Sequence, residues 1–230
     1  MAISFDNTKY IDEGYLNERK ELYKKLLLSS GAEGIENLIL FLENKTDFFT
    51  APASTQYHSD FEGGLLLHSL NVMTCLQRMN QTFKLGLPQS TITLSALLHD
   101  ICKCNVYSKK EKFFKPDGRT WVSYTGYEFE DNLPLGHGEK SVIMAEKFIH
   151  LKSEVALMIR WHMGIYDAKD ERALHNAMSL SKGVTALHLA DMQASNFLEF
   201  TVDLKKLPET PEFARFRTGQ EDKVKTLQEF

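Results

Sequence analysis

Five short segments hold most of the side chains in this chain that could do chemistry together. They read G-G-L-L-L-H around His68, L-L-H-D-I-C-K around His99, Asp100 and Lys103, L-G-H-G-E-K around His137 and Lys140, R-W-H-M-G around His162, and L-H-L-A-D around Asp191. All but the third lie inside apolar stretches with helical spacing, an unusual place for polar side chains unless something inside a helical bundle needs them. The third stands where a loop enters a helix. Neutral imidazole and carboxylate are good ligands for divalent first-row metals, and a mixed His/Asp set suits Fe, Mn, Co, Ni or Zn better than Ca or Mg. Adjacent His and Asp can serve one ion together, or the carboxylate can bridge two. An ion so held acidifies its water and neutralises charge on a phosphoryl group, and a pair of ions clamps both the attacking and the leaving oxygen.

Taken singly, each histidine reads as a hydrogen-bonded structural residue; it is the ordered set that argues for a metal. His188 precedes Asp191 on the same helix face and reads as a core histidine or as a hydrogen-bonding support for a ligand. His58 belongs to a pocket wall or to the surface, and His150 and His175 to the surface. Cys102 and Cys104 form C-x-C with no second pair to complete a tetrahedral zinc site, and read as structural.

The elements that must position these residues are mostly helices. Apolar spacing predicts them over residues 17–28 and 33–43, with Gly31 and Gly34 as the turn between. Further helices are expected over 64–83, from Pro88 through Ile101, over 138–150, over 153–163 with Ser153 as N-cap, over 171–179, and over 184–200. Between them, 105–115 and 119–129 are rich in aromatic and β-branched residues. Pro116-Asp117-Gly118 supplies the turn, which predicts a β-hairpin projecting from a helical body. The expected fold class is therefore all-α with a β-hairpin insertion after the His99-Asp100 doublet. Residues 1–50 form a helical N-terminal extension, 51–204 the catalytic domain and 205–230 a polar C-terminal tail.

Composition narrows the function classes. The 230 residues are 43% hydrophobic and 25% charged with a net charge of −4, ordinary for a globular chain and without a field that would gather long nucleic acid. No apolar run approaches the roughly 20 residues a bilayer span needs. The acid-bearing N-terminus lacks a secretion signal's pattern, and three cysteines argue against a disulfide framework. A cytoplasmic location without membrane partners is the expectation. The oligomeric state is left open.

In the order His68, His99-Asp100, Asp191, the series resembles the HD superfamily of metal-dependent phosphohydrolases, over roughly residues 55–200. H-D-I-C-K resembles the common H-D-x-G-K of that family, with Cys102 where glycine is usual. The resemblance implies that His68, His99, Asp100 and Asp191 ligate a first ion. His137 and His162 match the further histidines of dinuclear members, with Asp100 then bridging, although many of those relatives carry a His-His pair where this chain has Trp161-His162. It implies one or two divalent transition ions and a small phosphorylated substrate, a nucleotide above all. Asp100 would orient the metal-activated water. Lys103 would bind substrate phosphate or assist the leaving group, with Lys140 and His58 as further substrate contacts.

Two rival activities share these features. The stretches around His58–His68 and His137 are similar to the HD domain of a bacterial 3′–5′ exoribonuclease, and Lys109, Lys110, Lys112, Lys115 and Arg119 on the hairpin keep a nuclease or phosphodiesterase of short single strands in view. Mixed-valent diiron oxygenases of the same class use the same six ligands. A non-catalytic regulator that binds a nucleotide in a degenerate pocket is a further reading, against which the intact ligand set argues.

Overall fold

The computed structural model describes residues 4–6, 11–115, 118–119, 121–167 and 170–200. The expected tail at 205–230 and the turn residues Pro116 and Asp117 lie outside them. Helix α1 (Glu13–Ser29) starts where the Asp12 carboxylate accepts the Tyr15 N–H at 2.9 Å, capping an otherwise orphaned donor. Its inner face is Tyr23 and Leu27, both fully buried. Gly31 and Gly34, each at positive φ, turn the chain into α2 (Ile35–Lys45), which buries Ile35, Leu38, Ile39 and Leu42.

Helix α3 (Gly64–Phe83) and helix α4 (Gln89–Leu98) form the centre. Every residue of α4 from Thr91 to Leu98 is buried, as expected of a helix enclosed on all sides. The Tyr23 hydroxyl donates to the Leu97 carbonyl at 2.7 Å, fixing α1 to the end of α4 immediately before the His99-Asp100 doublet. Helix α4 stops at Leu98 instead of running through Ile101. Asp100 takes φ −112° and ψ 16°, which breaks the helical path, and Ile101–Lys103 forms a separate 3-10 turn.

The hairpin is present as β2 (Tyr107–Phe114) and β3 (Val122–Phe129), antiparallel from Tyr107 opposite Phe129 to Phe114 opposite Val122. A strand the sequence pattern does not foretell, β1 (Ser4–Asp6), runs parallel to β3 with Ser4 opposite Ser123, giving the order β1-β3-β2. Three residues are too few for a period-2 signal.

Four helices complete the bundle: α5 (His137–Glu146), α6 (Ser153–Trp161), α7 (Glu171–Leu180) and α8 (Lys182–Gln193). Ser153 is the first residue of α6; the cap position is Lys152, and no side chain caps it. Helix α8 ends at Gln193, and the expected continuation to Phe200 is replaced by a π turn over Ala194–Leu198 and an extended Glu199. The main apolar core joins α1–α8 through residues such as Leu27, Leu38, Leu66, Leu97, Ala145, Ile159, Ala177 and Leu187. No helix among the described residues is long and apolar enough to cross a membrane.

Candidate metal centre

Two histidines of the site stand at helix ends, not inside helices as the apolar context suggests. His99 caps the C-terminus of α4 and His162 that of α6. Each imidazole donates through Nδ1 to the carbonyl three residues back: His99 to Ala96 at 2.8 Å, His162 to Ile159 at 2.7 Å. The last turn of a helix leaves carbonyls without intrahelical partners, and these bonds use them. The same bonds place the proton on Nδ1 and leave the Nε2 lone pairs free for a cation. Both helices also bring the negative end of their dipole to the site.

His68 comes from the buried first half of α3, and Asp191 from the last turn of α8. His68 Nε2 lies 3.2 Å from His99 Nε2, 3.2 Å from Asp191 Oδ1 and 3.5 Å from Asp100 Oδ2; His99 Nε2 lies 3.4 Å from the same Asp100 oxygen. Nitrogen and oxygen ligands about 2.1 Å from a shared ion stand roughly 3.0–3.4 Å apart at ordinary coordination angles, so this cluster has the spacing of a metal site.

Asp100 is 2% exposed and uses its two oxygens in different directions. Oδ2 faces His68 and His99, whereas Oδ1 is 2.7 Å from His137 Nε2 and 3.4 Å from His162 Nε2. His162 Nε2 is fully buried and has no hydrogen-bond partner. A buried ring nitrogen without a partner is costly in an apoprotein, and a bound cation relieves that cost. Overlapping donor sets run through the centre: His68-His99-Asp191, His99-Asp100-His162 and Asp100-Cys102-His137, with the donor atoms of each within 4.8 Å of one another.

His137 reaches the centre because α5 packs tightly on α6. A Cβ at Gly138 would collide with the Arg160 carbonyl, so only glycine allows this approach. Glu139 pairs with Arg160 across the same contact. The His137 and His162 rings end 5.1 Å apart.

The electrostatics suit a cation. Burial works to lower the His68 imidazole, but the Glu199 and Asp191 carboxylates outweigh it and push His68 up to about 10. His137 is likewise disfavoured by burial, yet Cys102 and Asp100 raise it to about 9. Burial tends to raise Asp100 and Asp191, but Lys103 with the histidines around Asp100, and the histidines around Asp191, hold both well below the usual carboxylate range. The carboxylates of the site thus hold protons on His68 and His137, which metal binding must displace.

The residue that sequence reasoning missed is Glu199. Its side chain is fully buried, and its Oε1 accepts from His68 Nδ1 at 2.9 Å and Asn71 Nδ2 at 3.3 Å. Oε2 accepts from His58 Nδ1 at 2.7 Å and the Ser59 hydroxyl at 2.9 Å. It orients His68 with Nε2 toward the centre. His188 bonds the His162 carbonyl at 2.7 Å and supports that turn instead of Asp191.

The other expected contacts divide. Lys103 Nζ lies 2.7 Å from Asp100 Oδ2 and donates to the Ala53 carbonyl at 2.8 Å, a buried pairing that outweighs desolvation and raises its pKa. His58 packs beside His68 with ring centroids 4.9 Å apart. Lys140 is buried against Asp131, with Nζ to Oδ1 2.5 Å. His68, His99, Asp100 and His162 form a buried floor, while His137, Asp191, His58 and Lys103 form a rim at 14–27% exposure. His150 and His175 are exposed. On the hairpin, Lys109 pairs with Glu62 and Lys110 with Glu128, and Lys112 donates to the Tyr127 carbonyl. Lys115 lies over the Trp121 ring.

A family model described as HD domain matches residues 65–193, more than half of the chain. No curated protein and no solved structure matches significantly.

Proposed function

The chain belongs to the HD-domain family, whose members are generally metal-dependent phosphohydrolases, and we propose that it hydrolyses a nucleotide or another small phosphate ester. The observation that carries this reading is Asp100, whose Oδ2 faces His68 and His99 while Oδ1 faces His137 and the partnerless Nε2 of His162. His68, His99, Asp191 and Oδ2 would hold one divalent ion, and His137, His162 and Oδ1 a second. Such ions supply an acidified water and neutralise charge on the phosphoryl group.

The chain's own residues do the remaining work. Glu199 and the helix-end carbonyls fix the histidine tautomers, so no reorganisation is needed when charge develops. Asp100 would orient the attacking water. Lys103 keeps a cation at the rim, positioned for a phosphate oxygen, and His58 walls the same opening. A small substrate fits better than a strand, because Lys103 stands beside Asp100 at the donor cluster whereas Lys109, Lys110 and Lys112 are engaged on the hairpin.

The test is phosphate or nucleoside release over a nucleotide panel with manganese, comparing wild type with Asp100→Ala. Turnover that vanishes in the variant supports the reading. Metal bound without turnover in either protein overturns the small-nucleotide substrate and directs attention to oligonucleotides. Oxygen consumption by the iron-loaded protein would support the diiron oxygenase instead.

A further inference from the structure

We propose that Cys102 is a protein ligand for the ion on the His137 side of the centre, giving that side a thiolate, imidazole and carboxylate donor set. The inference rests on the metal-centre reading above and adds a donor that the H-D-x-G-K pattern does not contain.

The sulfur stands against the His137 ring, close enough to Asp100 and His137 for one ion to gather all three donors. Cys102 Sγ lies 3.5 Å from Nδ1 and 3.6 Å from Nε2 of His137, and that Nε2 is 2.7 Å from Asp100 Oδ1. A thiolate about 2.3 Å and an imidazole nitrogen about 2.0–2.1 Å from one zinc-like ion stand roughly 3.5 Å apart at a tetrahedral angle. The three donor atoms lie within 4.8 Å of one another.

The backbone holds the sulfur there. Cys102 N–H donates to the Ser141 hydroxyl at 3.2 Å, joining the 3-10 turn that carries the cysteine to the helix that carries His137. The residue is buried, so the sulfur does not serve as a solvent-facing thiol.

A second observation bears on the same Asp100 carboxylate. His162 Nε2 is buried without a hydrogen-bond partner and faces Asp100 Oδ1 at 3.4 Å. Of the donors on this side, His162 Nε2 has no hydrogen-bond partner, and the cysteine sulfur meets the His137 ring nitrogens. On binding, the Cys102 thiol gives its proton to solvent and the sulfur donates its electron pair to the ion. A soft donor moves the preference of this side from manganese toward zinc or cobalt.

Cobalt(II) titration of the full chain under reducing conditions tests this, with absorbance and bound metal read together. The expected result is ligand-field absorption accompanied by a near-ultraviolet thiolate-to-cobalt charge-transfer band. The band should disappear in Cys102→Gly and Cys102→Ser, with affinity at that side reduced by roughly 10-fold or more while the other side still takes up cobalt. Ligand-field absorption without the band in wild type overturns the proposal and leaves the metal centre standing. So does a band that persists in either variant, because it would come from Cys75 or Cys104. No bound cobalt at all sinks the metal-centre reading together with this one. If a Cys102 variant folds poorly, Cys75→Ser and Cys104→Ser decide the matter: a band that survives in both belongs to Cys102, and a band lost in either overturns the proposal.

Discussion

Glu199→Gln separates a carboxylate that organises the centre from one that merely fills space. Among the described residues the wild-type oxygens accept from His68 and Asn71 on one side and from His58 and Ser59 on the other. Glutamine keeps one acceptor oxygen, turns an NH2 toward two donors and removes the charge facing His68. Hydrogen bonds to charged groups contribute about 1.5–3 kcal/mol each; with partial rearrangement, the apoprotein should lose about 2–4 kcal/mol. For a chain of this length each kcal/mol is roughly 2–4 °C, so Tm should fall by about 5–10 °C. The loss has a pH signature. Glu199 is depressed in the folded state despite burial, by His68 and His58, so its contribution is present above the ordinary glutamate value of about 4.3 and fades as pH falls through the lower folded value. His68 is raised to about 10, so its contribution is complete below 6.5 and is lost as pH rises through about 10. The Tm gap between wild type and variant should therefore be widest near pH 6 and shrink toward pH 10. Metal affinity should weaken by about 10–100-fold, as for other supports of a ligating histidine. Calorimetric melts of the apoprotein and a chelator-competition titration read both. A Tm change under about 2 °C at pH 6, with metal affinity unaltered, would refute the argument.

Four further outcomes are expected. Asp100→Ala should abolish phosphate release and strip bound metal, measured by elemental analysis, and leaving Lys103 and His137 without their partner should cost about 3–5 kcal/mol in chemical denaturation. Metal binding at pH 7.5 should release protons, because His68 at about 10 and His137 at about 9 are charged in the apoprotein; calorimetry in buffers of different ionisation enthalpy counts them, and affinity should rise with pH and level off above 10. Gly138→Ala should separate α5 from α6, lowering stability by about 1–3 kcal/mol and weakening the His137 side of the centre more than the His68 side in a metal titration. Lys103→Met should keep bound metal but reduce turnover by about 100-fold if its charge contacts the phosphoryl oxygens, with metal content and kcat measured on the same sample.

The candidate cluster was legible because its residues are the wrong polarity for their sequence surroundings: an imidazole in G-G-L-L-L-H or a carboxylate in L-H-L-A-D stands out in a helical stretch that is otherwise apolar. The helices were legible from their apolar spacing and the hairpin from its aromatic runs and turn chemistry. What escaped was governed by backbone detail. Neither the break at Asp100 nor the π turn over Ala194–Leu198 has a sequence signature, yet the first ends α4 at the doublet and the second leads to Glu199. A charged residue enclosed in F-L-E-F was the available hint, and it looks the same as an ordinary helix end until His58 and His68 are seen beside it. Cys102 read as structural because C-x-C was measured against cysteine-only sites, whereas its neighbours in space are His137 and Asp100.

The N-terminal strand gives the chain an unusual order of assembly. β1 docks beside a partner strand about half the chain's length away, and the closure entropy of so long a loop must be met before its few bonds form. The helical centre can condense without it, so this seam should close last and open first. Until it closes, the Ser123–Thr125 stretch of β3 presents unpaired backbone that another nascent chain could pair with. An affinity tag fused ahead of Ser4, or a truncation through Asp6, should raise aggregation during expression, and a tag at the far terminus should not.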